Sequence, residues 1–288
     1  MRDQAENLRN RLKQQSTRKH AKTLAVVSGK GGVGKSNFSL NFCISLAKRG
    51  SRVLLFDLDI GMGNIEILMG RTSSLSIADY LTGRSDLKDI IAEAPGGIQY
   101  ISGGSGLNQL ISLDDSDTSR FIDDLQDIMS GYDYLIFDMG AGLTPETLKI
   151  LLSVNEIFVI TTPEPTAIMD AYATMKHIHH QDKGIPFYIL ANRVRSQKEG
   201  TETLQRLSSV LKKFLGKELL QLGMLPDDQT VQTAVRNQVP FMHYNGKAPA
   251  ARAMERIVDH YESRQNGMTV AGKQRTFASR LKQLIFER

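Results

Sequence analysis

The segment TLAVVSGKGGVGKS at residues 23–36 places a short apolar run directly before a glycine-rich loop that ends in lysine and serine. The pattern G-x-x-x-x-G-K-[ST] is met by Gly29, Gly34, Lys35 and Ser36. Glycines let backbone N–H groups close around phosphate oxygens, and the helix that follows points its positive dipole end at them. Lys35 is placed to reach the β- and γ-phosphates, and the Ser36 hydroxyl to bind Mg²⁺. The chemistry this implies is binding and hydrolysis of a nucleoside triphosphate. The candidate nucleotide contacts run from Gly29 through Lys30, Gly31, Gly32, Val33, Gly34, Lys35 and Ser36 to Asn37.

Two further segments carry carboxylates after apolar runs. DLDIGMGN sets Asp57 and Asp59 two apart, hence on one side of an extended segment. YDYLIF is followed by DMGAG, with Asp138 at the position where such enzymes hold the Mg²⁺ ion and its water. A lone strand-terminal Asp is commonly a turn or cap residue. Three of them beside a phosphate loop point to a metal-assisted site.

Lys30 narrows the reading. The run K-G-G-V-G-K-S, with a lysine directly after the first glycine, resembles the deviant loop of the MinD/ParA branch of P-loop ATPases. The resemblance implies that Lys30 reaches across an ATP-bound homodimer to the nucleotide of the other subunit. It further implies that Ser36, Asp57 and Asp138 support Mg²⁺ while Asp59 positions or activates the attacking water. Asn192, closing FYILAN, and Pro226–Asp227, in QLGMLPDDQ, match positions where MinD-like proteins bind the base. By composition alone these last three are turn formers. MinD itself usually has proline where this chain has Gly140, and the glycine form is common in the flagellar branch.

The elements that must hold these residues follow from hydrophobic pattern. Strands are expected near 23–28, 52–57, 98–102, 133–138, 156–161, 186–192 and 219–224. Helices are expected near 35–49, 75–82, 117–130, 144–153, 166–180, 200–214, 229–236 and 248–262. Alternation of Val/Ile/Leu/Phe-rich strands with helices predicts an α/β, doubly wound, mostly parallel sheet with helices on both faces. In such sheets ligands sit at the carboxyl ends of the strands, where the residues above fall.

Composition sets the remaining bounds. A chain of 288 residues can bury a full core. Its longest apolar runs are too short to span a bilayer, and the polar, charged N-terminus gives no secretory signal. A cytoplasmic protein is expected, reversibly peripheral on the inner face of the cell membrane. The single cysteine, Cys43, permits no C-x-x-C cluster, against the iron–sulfur carriers that share this loop. Of the net charge of +5, residues 1–22 carry seven Lys/Arg against two acidic residues, and 273–288 carry five against one. The body between is therefore acidic, unlike the basic face of most nucleic-acid binders, and no specific nucleic acid is expected.

The two basic ends suggest interaction segments. Residues 263–275 have a linker's composition, and 276–288 follow as an amphipathic helix with Phe277, Leu281, Leu284 and Ile285 on one face. Cations beside that face fit a helix lying on an anionic membrane surface, and MinD-like proteins end in such a helix. At the other end Asp3, Gln4, Ala5, Leu8 and Arg9 match the D-Q-A-x-x-L-R motif of the flagellar FlhG family, also called YlxH or FleN. That resemblance implies that the arm, residues 1–22, activates FlhF, a GTPase related to those of the signal recognition particle. It leaves 23–262 as a MinD-like ATPase domain, implies a role in flagellar number and placement, and adds flagellar C-ring proteins as further partners. The competing expectation is a ParA-like DNA-partitioning ATPase with steeply salt-dependent, non-specific DNA affinity.

Overall fold

Strands β1 (Lys22–Val27), β2 (Val53–Leu58), β5 (Tyr134–Met139) and β6 (Glu156–Thr161) are buried on both faces along nearly their whole length. Such runs can exist only as the middle of a sheet covered on both sides. The structure, a computed structural model, describes residues 21–59, 64–103, 115–140, 142–267 and 276–286. Its eight strands run in the order β3-β4-β2-β5-β1-β6-β7-β8, with β3 at Ala92–Ala94, β4 at Ile98–Ser102, β7 at Phe187–Val194 and β8 at Leu220–Pro226. All neighbours pair in parallel except β3 with β4. The doubly wound, mostly parallel α/β expectation is borne out, and the antiparallel edge strand β3 was absent from the sequence reading.

Helix α1 (Lys35–Lys48) follows β1, and the short α2 (Asn64–Met69) and α3 (Ile77–Leu81) follow β2. Then come α4 (Asp115–Met129), α5 (Pro145–Ser153), α6 (Pro165–Gln181) and α7 (Gln197–Leu215). The chain finishes with α8 (Gln229–Arg236), α9 (Phe241–Tyr244), α10 (Pro249–Gly267) and α11 (Phe277–Phe286). Alternate residues of each strand feed separate cores, Ala25 and Val27 on one face and Leu24 and Val26 on the other. The second core centres on rings from Phe42, Phe158, Tyr188 and Tyr261, with Phe158 and Tyr261 centroids 5.2 Å apart in an edge-to-face arrangement.

The two ends depart from expectation. Helix α10 continues to Gly267, so 263–267 are helix rather than linker. Its last turns are tied down at Glu156, which is buried and accepts hydrogen bonds from Tyr261 Oη (2.8 Å) and Gln265 Nε2 (3.0 Å) and pairs with Lys22 Nζ at 2.6 Å. Helix α11 forms where predicted, but its apolar face is turned inward. Phe277, Ala278 and Leu281 are buried in the first core, with Ile285 and Phe286 partly buried against it, and Leu284 is half-buried. The face assigned to a membrane is therefore engaged by the protein's own α4 and α5. The physical reason is that these helices leave an apolar groove on the sheet, and removing both apolar surfaces from water outweighs the cost of ordering one short helix. The linker residues 268–275 and the arm residues Asp3, Gln4, Ala5, Leu8 and Arg9 lie outside the described residues. No described helix is long and apolar enough to cross a membrane.

Candidate nucleotide site

Parallel pairing sends every strand's carboxyl end to one edge of the sheet, and there the candidate residues meet. β1 runs into the loop 28–34, and α1 starts at Lys35 immediately after Gly34. Two glycines are required by the path of this loop. A Cβ on Gly29 would lie 2.0 Å from the backbone carbonyl carbon of Asp170 on α6. Gly34 adopts φ 94°, and a Cβ there would meet the Asn192 amide at 2.4 Å. Gly31 and Gly32 have open space on the side where a Cβ would sit. Val33 is buried and anchors the loop to the second core. Ser28 Oγ donates to the carbonyl of Lys30 at 2.9 Å, closing the turn.

At the first position of α1, Lys35 is only 7% exposed and its ammonium lies 3.3 Å from Asp138 Oδ1. Ser39 Oγ donates to the same oxygen at 2.9 Å. Among the described residues, Asp138 Oδ2 is buried with no partner inside hydrogen-bond geometry. Burial pushes the Asp138 carboxyl above its usual range, opposed by Lys35 and by hydrogen bonds from Ser36 and Ser39. Asp57 stands directly beside Asp138 in the β2–β5 register. Burial, and then the neighbouring Asp138 charge, push its carboxyl up to about 7. Two buried carboxylates side by side, one with an orphaned oxygen, form a donor set that a divalent cation satisfies. The residues present thus fit Mg²⁺, with the Ser36 hydroxyl at the start of α1 beside them.

Asp57 also organises its own surroundings. Its Oδ1 accepts from the Asp59 N–H at 3.1 Å and its Oδ2 from the Ile65 N–H at 3.3 Å, so it satisfies a first-turn donor of α2. Asp59 lies at the same edge, beside Gly140: a Cβ on Gly140 would come 3.1 Å from Asp59 Oδ1. The glycine that replaces MinD's proline therefore leaves room for this carboxylate. Lys30 points outward, 46% exposed, and pairs with Glu164 at 3.2 Å at the start of α6.

Asn37 lies on the first turn of α1, and its Oδ1 accepts from Asn41 Nδ2 at 2.8 Å. Asn192 lies two residues before the end of β7, its Nδ2 donating to the Val33 carbonyl at 2.7 Å and its Oδ1 accepting from the Arg193 N–H at 2.9 Å. Arg193 has φ 57°, an uncommon backbone for a side-chain-bearing residue. Pro226 pairs with Val194 at the end of β8, and the Asp227 N–H donates to the Val194 carbonyl at 2.9 Å. Asn192, Pro226 and Asp227 thus sit on neighbouring strand ends. Sequence reasoning missed Ser39, Asn64 and Glu164, which act here through contacts distant in sequence or through a loop. Only Asn64, inside DLDIGMGN, carried a local signal.

Comparison with known proteins agrees with this geometry. A ParA family model, described as NUBPL iron-transfer P-loop NTPase, matches residues 19–261. The single cysteine here is fully buried in the second core and supplies no cysteine pair. The antiactivator FleN of Pseudomonas aeruginosa is 31% identical over 252 residues, covering 88% of this chain and 90% of its own length. The flagellum site-determining protein YlxH of Helicobacter pylori is 35% identical, covering 82% and 80%. Among solved structures, the MinD septum site-determining protein of Pyrococcus horikoshii in complex with Mg-ADP shares the fold with TM-score 0.68 at 20% identity, covering 87% of this chain and all of its own. A chain of the MinC:MinD cell division protein complex of Aquifex aeolicus gives 0.67 at 22%, covering 88% and 99%. The chain belongs to the MinD/ParA family of P-loop ATPases, in the flagellar FlhG group to which the names FleN and YlxH refer.

Proposed function

We propose that this ATPase is a dimerising switch that regulates flagellar number and placement, binds the membrane reversibly, and activates FlhF through its N-terminal arm. The observation that carries the switch reading is the contrast between the two loop lysines. Lys35 is buried against Asp138, whereas Lys30 faces outward on a weak, exposed pair that solvent largely screens. One lysine serves the phosphates of its own subunit and the other is available to a second subunit.

In this reading the loop N–H groups and the N-terminus of α1 hold the phosphates, and Ser36, Asp57 and Asp138 hold Mg²⁺. The ion, when bound, neutralises charge that develops on the phosphate oxygens. Lys35 leaves its pair with Asp138 for the phosphate oxygens. Lys30 leaves Glu164 for the partner's nucleotide, adding positive charge where negative charge builds. Asp59 orients the attacking water through a carboxylate oxygen. Asn192, Pro226 and Asp227 border the base.

Membrane binding requires α11 to leave its groove, because the side chains that would enter lipid are those now buried. A single short helix binds weakly, whereas two on one dimer bind with avidity raised roughly 10²–10⁴-fold. The FleN and YlxH names and the D-Q-A-x-x-L-R match support the flagellar role and the arm's partner. Liposome co-sedimentation with ATP and with ADP tests the switch, using the full chain and one ending at residue 272. Equal pelleting of the full chain with both nucleotides would overturn it. For the arm, a peptide of residues 1–15 is expected to stimulate FlhF, and the Gln4→Ala peptide to fail.

A further inference from the structure

Asp59 is held at its backbone and at one carboxylate oxygen, and the second hold comes from a residue with no assigned role. Asn64 Nδ2 donates to Asp59 Oδ2 at 2.7 Å. The Asp59 N–H is fixed by Asp57 Oδ1 at 3.1 Å, and Asp59 Oδ1 has no hydrogen-bond partner recorded among the described residues. We propose that Asn64 is a positioning residue for hydrolysis, anchoring one oxygen of Asp59 so that the other faces the attacking water. The inference rests on the reading of Asp59 as the water-orienting group.

Three features carry it. An amide donor of this short length fixes the rotation of a carboxylate that would otherwise turn about its terminal bond, where the torsional preference is broad. The anchor is rigid because the next residue, Ile65, donates its backbone N–H to Asp57 Oδ2 at 3.3 Å. Residues 64 and 65 thus clasp both carboxylates, Asp59 and Asp57, from the start of one helix. Finally, Gly140 offers no Cβ on the remaining side, where one would stand 3.1 Å from Oδ1. One oxygen is tied down, and the other is spared the crowding that a side chain at position 140 would bring. Such positioning acts on the chemical step rather than on binding.

Steady-state ATP hydrolysis by the full chain tests this, with Asn64→Leu removing the donor at similar size and Asn64→Gln keeping one. Asn64→Leu is expected to lower kcat roughly ten- to a hundredfold, with KM within about threefold and the ATP dimer retained by light scattering. Asn64→Gln is expected to recover part of the lost kcat. The double variant Asp59→Ala/Asn64→Leu is expected to be no slower than Asp59→Ala, since the two act as a unit. A wild-type kcat in Asn64→Leu, an equal loss in Asn64→Gln, or additive losses in the double variant would overturn the proposal. Wild-type hydrolysis by Asp59→Ala would instead overturn the reading of Asp59 on which it rests.

Discussion

Phe277 of α11 stacks on Phe137 of β5 with ring centroids 5.0 Å apart, and Phe137 is the residue before Asp138. Helix α11 is thus seated one peptide from a carboxylate of the nucleotide site, on the opposite face of the strand. Arg280 Nη1 adds a hydrogen bond to the Val154 carbonyl at 3.3 Å, ahead of β6. A small displacement of β5 on nucleotide binding would be felt directly under the helix.

Phe277→Ala removes that stack. A buried Phe→Ala change costs about 3–5 kcal/mol when the whole protein feels it. A terminal helix can release on its own, so the loss is expected chiefly as local opening. Hydrogen exchange across 277–286 should rise by at least tenfold, while pelleting with anionic liposomes should still require ATP, because one released helix binds weakly and has lost an apolar side chain. Unchanged exchange would show that the stack does not hold the helix.

Asp57→Asn is expected to stabilise the nucleotide-free protein while weakening Mg-nucleotide binding. The folded chain holds the Asp57 proton up to about pH 7, whereas the ordinary aspartate value, which the unfolded chain keeps, is 3.8. Between those values the folded state binds more protons than the unfolded state, so this group's contribution to stability falls as pH rises through the window. The variant lacks that loss, and at pH 8 its gain should be roughly 1–3 kcal/mol, several degrees in Tm. Thermal melts at pH 5 and pH 8 check it, because the gain should shrink at the lower pH. A Tm equal to wild type at both would show that burial beside Asp138 does not penalise the Asp57 charge.

Lys30→Ala and Lys35→Ala are expected to separate dimerisation from binding. Loss of Lys35 also leaves Asp138 without its cation in a buried site, so nucleotide affinity should fall by at least tenfold and stability should drop. Loss of Lys30, which among the described residues pairs with the exposed Glu164, should leave affinity within about threefold and abolish the ATP dimer. Light scattering and titration with a fluorescent nucleotide read both. A dimeric Lys30→Ala would refute the division of roles.

Gly34→Ala tests the loop geometry. Its positive φ disfavours any side chain, by about 1–2 kcal/mol, and the new Cβ would strike the Asn192 amide. Loss of the Asn192 hydrogen bond to Val33 should follow, with nucleotide affinity reduced by more than tenfold. If Gly34→Ala bound nucleotide as wild type does, the coupling between β7 and the loop would carry no weight.

The sequence by itself determined the chemistry and the architecture. Gly29, Gly34, Lys35 and Ser36 at fixed spacing, strands dense in branched apolar residues, and Asp57 and Asp138 at strand ends are local patterns. Parallel pairing then leaves one edge where they can meet. The edge strand β3 and helices α2 and α9, at three, six and four residues, were too short for a period to show. What only the tertiary structure decided depends on surfaces brought together from distant parts of the chain. The Asn192 contact with Val33 spans 159 residues, and the Lys30–Glu164 pair spans 134. The direction of the α11 apolar face belongs here too. An amphipathic stripe states that a face will be buried, but burial is non-directional and proportional to area. Whether lipid or the groove over Phe137 receives Phe277 and Leu281 is settled by the shape α4 and α5 leave on the sheet, which no periodicity in residues 276–288 encodes.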